Sequence, residues 1–450
     1  MVQKLLKISL LAFFSLFLTS EDLPVTSMTE EEYINFKANL IKSIENHPEA
    51  LLQDSLVSQK VYDVEIVKSR LKPQLYFLSS SKSPALDSET DSFFQSIQQK
   101  QHSTIDQTMV LQGMLTDFGQ TKNLVLQEKN NVSSTSAISQ SEKSKLVLRA
   151  LDACMDSAVY FLLYEATKAS FLRHEEISNL IKIRVDAGRA PGRELSRSNA
   201  RLSEAKAKEI LMSSKLAEAQ ARFKSFLPAQ EVCRKLPQTN FFIEMDAEKA
   251  LFQAKNKNDE MRAYSFKIES LQNQVTSIKR SKMPTISAQL RADKYDISNT
   301  EDYELFGGVN LNWDLYQGNR RRMQENKAKE EVRAASYEQG AFGRELESIV
   351  SSNLAELKNG QAKLEAFEEA YYANLESRSQ LKAQFFSANV SLLDLLQSER
   401  DFLESIEALI FNSKEVIMTK YIHLHYLGEL VIEFSLDNES DTDLNYLDQK

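Results

Sequence analysis

Between Tyr303 and Leu315 every second residue is apolar or glycine: Tyr303, Leu305, Gly307, Val309, Leu311, Trp313 and Leu315. Glu304, Gly308, Asn310, Asn312 and Asp314 fall between them, and Phe306 is the exception. A period of two marks a strand with one apolar and one polar face. Residues 285–295 repeat the pattern, setting Ile286, Ala288, Leu290 and Ala292 against Thr285, Ser287, Gln289, Arg291 and Asp293; residues 105–115 do so less cleanly. After each strand pair the period becomes helical. The stretches Gly119–Gly188 and Gly318–Ala388 each predict a helix of about 100 Å at a rise of about 1.5 Å per residue. Val147, Leu151, Cys154, Ala158 and Phe161 recur at alternating steps of four and three, as do Leu364, Phe367 and Tyr371. That spacing predicts a seam packed against antiparallel neighbours. The piece "SSTSAISQSEKS" (133–144) is polar nearly all round, which fits a helix with water on two sides or a break in the helix.

Strands and helices occur twice. "HPEALLQDSLVSQKVYDVEIVKSRLKPQL" (47–75) aligns with "NDEMRAYSFKIESLQNQVTSIKRSKMPTI" (258–286) at an offset of 211, with Pro73 over Pro284. "DFGQTKN" (117–123) aligns with "YQGNRRR" (316–322) at 199, and "AGRAPGRELSRSNARLSEA" (187–205) with "SANVSLLDLLQSERDFLES" (387–405) at 200. The change of offset places about 12 extra residues in a polar loop of the first half, around 83–100. Repetition at this scale means one structural unit used twice. The predicted organisation is a segment to be removed at 1–20 and a first repeat at 21–227, with strands near 74–82 and 103–116 and a helical hairpin near 120–227. A linker at 228–247 leads to a second repeat at 248–430, with strands near 285–295 and 302–316 and a hairpin near 319–430, and then an acidic, flexible tail at 431–450.

Composition narrows the class. Only 11 Gly and 8 Pro in 450 residues leave room for few turns, and no proline falls between 85 and 190 or after 284. A net charge of -9 argues against a nucleic-acid partner, which needs a cationic footprint. Lys4 and Lys7 precede an apolar run from Ile8 to Leu18, the layout of a secretory signal peptide. No later apolar run is long enough for a spanning helix. Strands of about 9–11 residues do reach across the hydrocarbon when tilted, and the strands here attain that length. Four strands leave open edges, which lipid forbids, so spanning strands would require several chains to close one barrel. In that frame Trp313 and Tyr316 fall at an aromatic girdle, and Arg320, Arg321 and Arg322 lie just outside the hydrocarbon, within reach of phosphates.

The order, duplication and spacing of "HPEALLQ…KPQLYF", "LTDFGQTKN", "RVDAGRAPGRELSRSNARLSEAKA", "KMPTISAQL", "WDLYQGNRR" and "SLLDLLQSERDFLES" resemble the TolC family of outer-membrane efflux and type I secretion channels over residues 30–430. The resemblance implies a mainly α fold with a small transmembrane β part: a homotrimer pooling its strands into a twelve-stranded β-barrel above an α-helical periplasmic tunnel. It also implies an outer-membrane location in a Gram-negative bacterium, extending into the periplasm. The implied partners are outer-membrane lipid, a periplasmic adaptor of the membrane-fusion type and an inner-membrane transporter of ABC, RND or MFS type. No cofactor is implied, and no phosphate loop, nucleophile elbow or triad points to an enzyme. The competing reading is a periplasmic coiled-coil adaptor, against which the second hairpin and the alternating strand pairs speak.

The candidate sites follow from these placements. Arg184, Asp186, Gly188, Arg189, Glu194 and Leu195 on the first helical turn, with Ala388, Asn389, Asp394 and Leu395 on the second, would ring the periplasmic entrance as gate and adaptor-docking tips. Family turns read Gly-Leu followed by Asp-Val/Leu-Leu. The second turn carries Asp394-Leu395, whereas the first has Glu194-Leu195 and a cluster of Arg184, Arg189, Arg193 and Arg197. Arg291, Asp293, Glu304, Asn310 and Asp314 would line the barrel water. Cys154 and Cys233 are either a disulfide pinning the linker to the long helix or two buried thiols. His423 and His425, two apart on a predicted helix, point to different faces, which argues against a metal site.

Overall fold

The computed structural model describes residues 25–82, 104–228, 232–237, 246–295, 303–386 and 390–434. The expected signal segment at 1–20, the polar loop at 83–100, most of the 228–247 linker, Ala388 and Asn389, and the end of the tail lie outside the described residues.

The duplication is visible in element lengths. The first half comprises α1 (Glu30–Glu45), α2 (Pro48–Ser69), β1 (Gln74–Lys82), β2 (Thr104–Thr116), α3 (Gln120–Asp186) and α4 (Gly192–Phe226). The second comprises α5 (Ala247–Lys257), α6 (Asp259–Arg280), β3 (Thr285–Lys294), β4 (Tyr303–Asn312), α7 (Arg320–Phe386) and α8 (Leu392–Tyr426), with a short α9 (Leu430–Glu433) after it. α2 and α6 both have 22 residues, α3 and α7 both 67, and α4 and α8 both 35. Each strand-to-helix passage uses two successive residues of positive φ, Phe118–Gly119 (55° and 88°) and Gly318–Asn319 (56° and 65°). Glycine takes that backbone without a Cβ clash, and asparagine tolerates it.

The chain divides into two compact units. One holds residues up to Leu51, Gln140–Asn258 and Glu345 onward; the other holds Leu52–Ser139 and Asp259–Arg344. The second unit contains the sheet, antiparallel in the order β1-β2-β3-β4. Opposite register positions keep one set of side chains together: Leu75 pairs Leu111, Leu111 pairs Leu290, and Leu290 pairs Gly307. A register shift between Met114 and Thr116 steps over Leu115, which accounts for the two adjacent apolar residues at the end of 105–115, since a bulge adds one residue to one strand. β4 ends at Asn312, so Trp313, Asp314 and Tyr316 follow the strand, although the alternation runs on toward residue 316.

In the other unit the hydrophobic core runs along the helices. Val147, Leu151, Cys154 and Ala158 of the predicted seam are fully buried, with Leu146, Phe223, Ile410 and Tyr421 around them. α3 continues unbroken through 133–144. Nor does that stretch have water on two sides: Ser139, Ser141 and Ser144 are buried. Small hydroxyls that bond across to a neighbouring helix let helices approach closely. Ser144 Oγ lies 2.6 Å from His425 Nδ1 in this unit, and in the sheet-bearing unit Ser134 donates to the Ala263 carbonyl at 2.9 Å. The acidic tail begins later than residue 431, because Val431 and Phe434 are buried in the core.

The ends of this core are tied by the linker. Cys154 on α3 and Cys233 form a disulfide, and Ser157 donates to the Cys233 carbonyl at 2.9 Å. Three residues on, Leu236 exchanges backbone hydrogen bonds with the start of the described chain, donating to Thr26 at 3.0 Å and accepting from Met28 at 2.9 Å. Thr29 then opens α1 with a capping box, its hydroxyl taking the Glu32 amide while Glu32 takes the Thr29 amide.

Candidate functional site

Three places bear on function, and the sheet is the first. Both of its faces lack cover within the unit. On the apolar face Leu75, Phe77, Leu305, Val309 and Leu311 are between 56% and 68% exposed. Every residue of β4 is exposed. The opposite face carries the side-chain hydrogen bonds. Thr108 donates to Asp293 at 2.6 Å, Arg291 to Asp293 at 2.8 Å, Asn310 to Gln289 at 3.0 Å and Tyr76 to Gln112 at 3.1 Å. Four of the five expected water-facing residues therefore share one face: Asp293 pairs Glu304 across the strands, Arg291 pairs Phe306, and Asn310 pairs Ser287. Phe306 and Gly308 shape a hollow of about 330 Å³ there with Arg291 and Asn310. Asp314 does not join them. It lies beyond the strand end and binds Arg321 at 2.9 Å.

The second place is this junction between β4 and α7. The indole of Trp313 donates to the Lys282 carbonyl at 3.1 Å. Arg321 is held by the Asp314 carboxylate and also donates to its carbonyl at 3.0 Å, while Arg320 donates to Gln317 at 2.8 Å. Lys282 and Lys329 grip Glu325, whose carboxyl is drawn down to about 2 by hydrogen bonds from the two ammonium groups. Leu315 and Tyr316 stand in solvent, 78% and 81% exposed. The expected girdle residues thus form one compact group of aromatic and cationic side chains.

The third place is the pair of helical turns. α3 ends in a Schellman motif: Arg189 N–H reaches the Arg184 carbonyl at 2.7 Å and Gly188 N–H that of Val185 at 2.9 Å, with Gly188 at φ 68°. α4 starts at Pro191 with no side-chain cap, whereas Ser391 caps α8 by accepting from the Asp394 amide. Asp394 in turn accepts from the Ser391 hydroxyl at 2.7 Å. Arg184 reaches the second turn, donating to the Phe385 carbonyl at 3.2 Å with its guanidinium 4.5 Å above the Phe385 ring. Asp186 and Arg189 are exposed. Leu195 packs with Ile181, Leu392, Leu395 and Leu396 in a small separate apolar cluster.

Sequence reasoning missed the charge cluster above these turns. Glu399 on α8, 1% exposed, accepts from Arg173 Nε at 2.7 Å and lies 4.0 Å from Arg378 Nη1. Both guanidiniums stack on Phe402, at 5.7 and 4.0 Å from its centroid. Burial pulls the Arg378 pKa down, opposed by Glu399, and burial likewise lowers that of the neighbouring His174. The repeat held the signal. At an offset of 200, Arg378 and Glu399 lie over Ser178 and Asn199, which bond each other at 2.7 Å in the first hairpin.

This chain has the fold of bacterial outer-membrane channels. The CmeC outer membrane channel of Campylobacter jejuni superposes with a TM-score of 0.78 at 12% identity, covering 88% of this chain and 86% of that one. VceC, an outer membrane protein of Vibrio cholerae, gives 0.74 at 13% identity over 88% and 96%. The open state of the MtrE outer membrane channel of Neisseria gonorrhoeae gives 0.72 at 12% over 92% and 95%. Residues 250–413, most of the second repeat, match the outer membrane efflux protein family. No curated protein sequence matches the chain. The matched structures are channels, and they do not favour the adaptor reading.

Proposed function

We propose that the protein is the outer-membrane channel of a Gram-negative export system, conducting small molecules or secreted polypeptides from an inner-membrane transporter and its periplasmic adaptor to the outside. The sheet carries the reading. Four strands with an uncovered apolar face, a hydrogen-bonded polar face and exposed outer strands β1 and β4 cannot persist in water or alone in lipid. Three copies would close twelve strands into one barrel, with Arg291, Asp293, Glu304 and Asn310 toward the water and Leu75, Phe77, Leu305 and Leu311 toward lipid. The paired hairpins would form the periplasmic tunnel. No chemistry is required of it; the work is to hold a water-filled path open or shut.

In this reading the two turns form the periplasmic end, where Arg184, Asp186, Glu194 and Asp394 tie neighbouring tips and the adaptor docks. The experiment is purification from outer membranes followed by planar-bilayer recording. A heat-labile trimer with discrete conductance steps is expected, and replacing Arg184 and Asp186 by Ala raises the conductance. A monomer in mild detergent that never conducts refutes the channel. Unchanged conductance in the double variant refutes the tip ties alone.

A further inference from the structure

We infer that the junction between β4 and α7 is a binding site for the phosphate of an anionic phospholipid in the leaflet on the helix side of the membrane. The inference rests on the membrane-spanning reading of the sheet. Trp313, Tyr316, Lys282, Arg320, Arg321 and Arg322 line a cleft of about 320 Å³, a size suited to a small polar headgroup. Its charges are unevenly matched. Lys282 is neutralised by Glu325 and Arg321 by Asp314. Arg320 is held only by the neutral Gln317, and Arg322, exposed, makes no ion pair among the described residues. Two guanidiniums therefore face the cleft's surroundings without a carboxylate. A guanidinium takes a phosphate through two parallel hydrogen bonds, which an ammonium cannot do.

The apolar half of such a ligand is also provided for. Leu315, Tyr316 and Trp313 follow directly from the lipid-side row of β4 and are 78%, 81% and 53% exposed. Acyl chain and headgroup would thus meet the protein within one short segment. The first repeat marks the contrast. Its corresponding turn holds Asp117, whose carboxylate accepts from the Gly119 and Thr121 amides at 3.0 and 2.6 Å. Tyr316 stands in the place of Asp117 and three arginines in the place of Thr121, Lys122 and Asn123. One turn uses its carboxylate to cap its own helix; the other, whose Asp314 is taken up by Arg321, gathers two further guanidiniums.

Trp313 is the only tryptophan in the chain, so its fluorescence reports on this cleft alone. The full-length protein is reconstituted in phosphatidylcholine vesicles containing a minor fraction of either dibrominated phosphatidylglycerol or dibrominated phosphatidylcholine. Brominated phosphatidylglycerol should quench Trp313 at a several-fold lower mole fraction. Each of R320Q and R322Q should reduce that preference about five-fold, with the far-UV circular dichroism unchanged. Equal quenching by both lipids overturns the site while leaving the membrane placement standing. A preference that survives R320Q/R322Q overturns it as well, and so does one abolished by inorganic phosphate, which would mark a site for soluble anions. Quenching by neither lipid overturns the membrane-spanning reading itself.

Discussion

Replacing Glu399 by Gln tests whether the buried charge cluster holds three helices together near the tips. The carboxylate is 1% exposed, while the Arg173 and Arg378 side chains are each 20% exposed. E399Q keeps the shape and removes the counter-charge, leaving two guanidiniums facing each other across Phe402. Removing one member of a buried pair costs about 3–5 kcal/mol. Both arginine side chains are partly exposed, so water screens part of the stranded charge and the cost is discounted below that range, to about 2–3 kcal/mol. At about 2 °C per kcal/mol, the melting temperature of the detergent-solubilised protein, followed by circular dichroism, should fall by roughly 4–6 °C. Adding R378M removes one of the stranded charges and should recover part of the loss. In bilayers E399Q should also raise conductance, because the cluster ties α3, α7 and α8 within about two to four helical turns of their periplasmic ends. A melting temperature equal to wild type, or a double variant weaker than E399Q by the full cost of R378M alone, would falsify the claim that the trio acts as one unit.

Three further outcomes are expected. Replacing Cys154 and Cys233 by Ala opens a loop spanning 79 residues and should destabilise the helical unit by up to about 4.5 kcal/mol on the chain-entropy account; a thiol titration finding two free groups in the oxidised wild type would remove the premise. Gly428 has φ +73°, and a Cβ there would sit 2.3 Å from the Lys257 carbonyl oxygen, so G428A should melt lower by more than any surface substitution; equal melting would refute the close approach of α5 and the end of α8. His423 is fully buried with neither ring nitrogen bonded among the described residues, and burial lowers its pKa. The folded state thus holds it neutral while the unfolded chain takes up a proton below about pH 6.5, so stability is complete above that pH and declines as pH falls through it. H423L should flatten this slope in part, with His174 supplying the remainder in the same direction; an unchanged slope would place the titration elsewhere.

Much of the fold was legible because its two periods are clean. Val147, Leu151, Cys154 and Ala158 step along one face and are all buried, and the odd-numbered polar residues of β3 do share a face. Where the reading failed, packing competed with pattern. Ser139, Ser141 and Ser144 look like a wetted helix, yet small side chains are also what close helix contacts require, and Ser144 bonds across to His425. Trp313 and Leu315 continue the alternation without continuing the strand, because β3 begins at Thr285, whose register partner is Asn312, and no neighbour remains beyond it. Nothing in the sequence pattern singles out Glu399. Its burial depends on Arg173 and Arg378, 226 residues away and on a third helix, and single-sequence periodicity carries no term for such a meeting.

Divergence between the two repeats points to where specificity was added. The three longer helix pairs, α2/α6, α3/α7 and α4/α8, are matched to the residue, which keeps the scaffold common, but polarity was traded at equivalent points. Ser178 and Asn199 make a neutral hydrogen bond where Arg378 and Glu399 make an ionic one. Asp117 caps its own helix where Tyr316 opens a cationic cleft. In the proposed trimer six hairpins with nearly equal backbones would then alternate between neutral and charged joints around the axis. A neutral hydrogen bond is nearly indifferent to salt, whereas ion pairs with a partly exposed member weaken as salt screens them. Opening of the periplasmic end should therefore be governed by the second hairpin of each protomer. R378S/E399N, which copies the first hairpin's pair into the second, should abolish the salt dependence of the open probability, while the reciprocal S178R/N199E should increase it. A salt dependence untouched by R378S/E399N would mean that the charged joints of the second repeat play no part in opening.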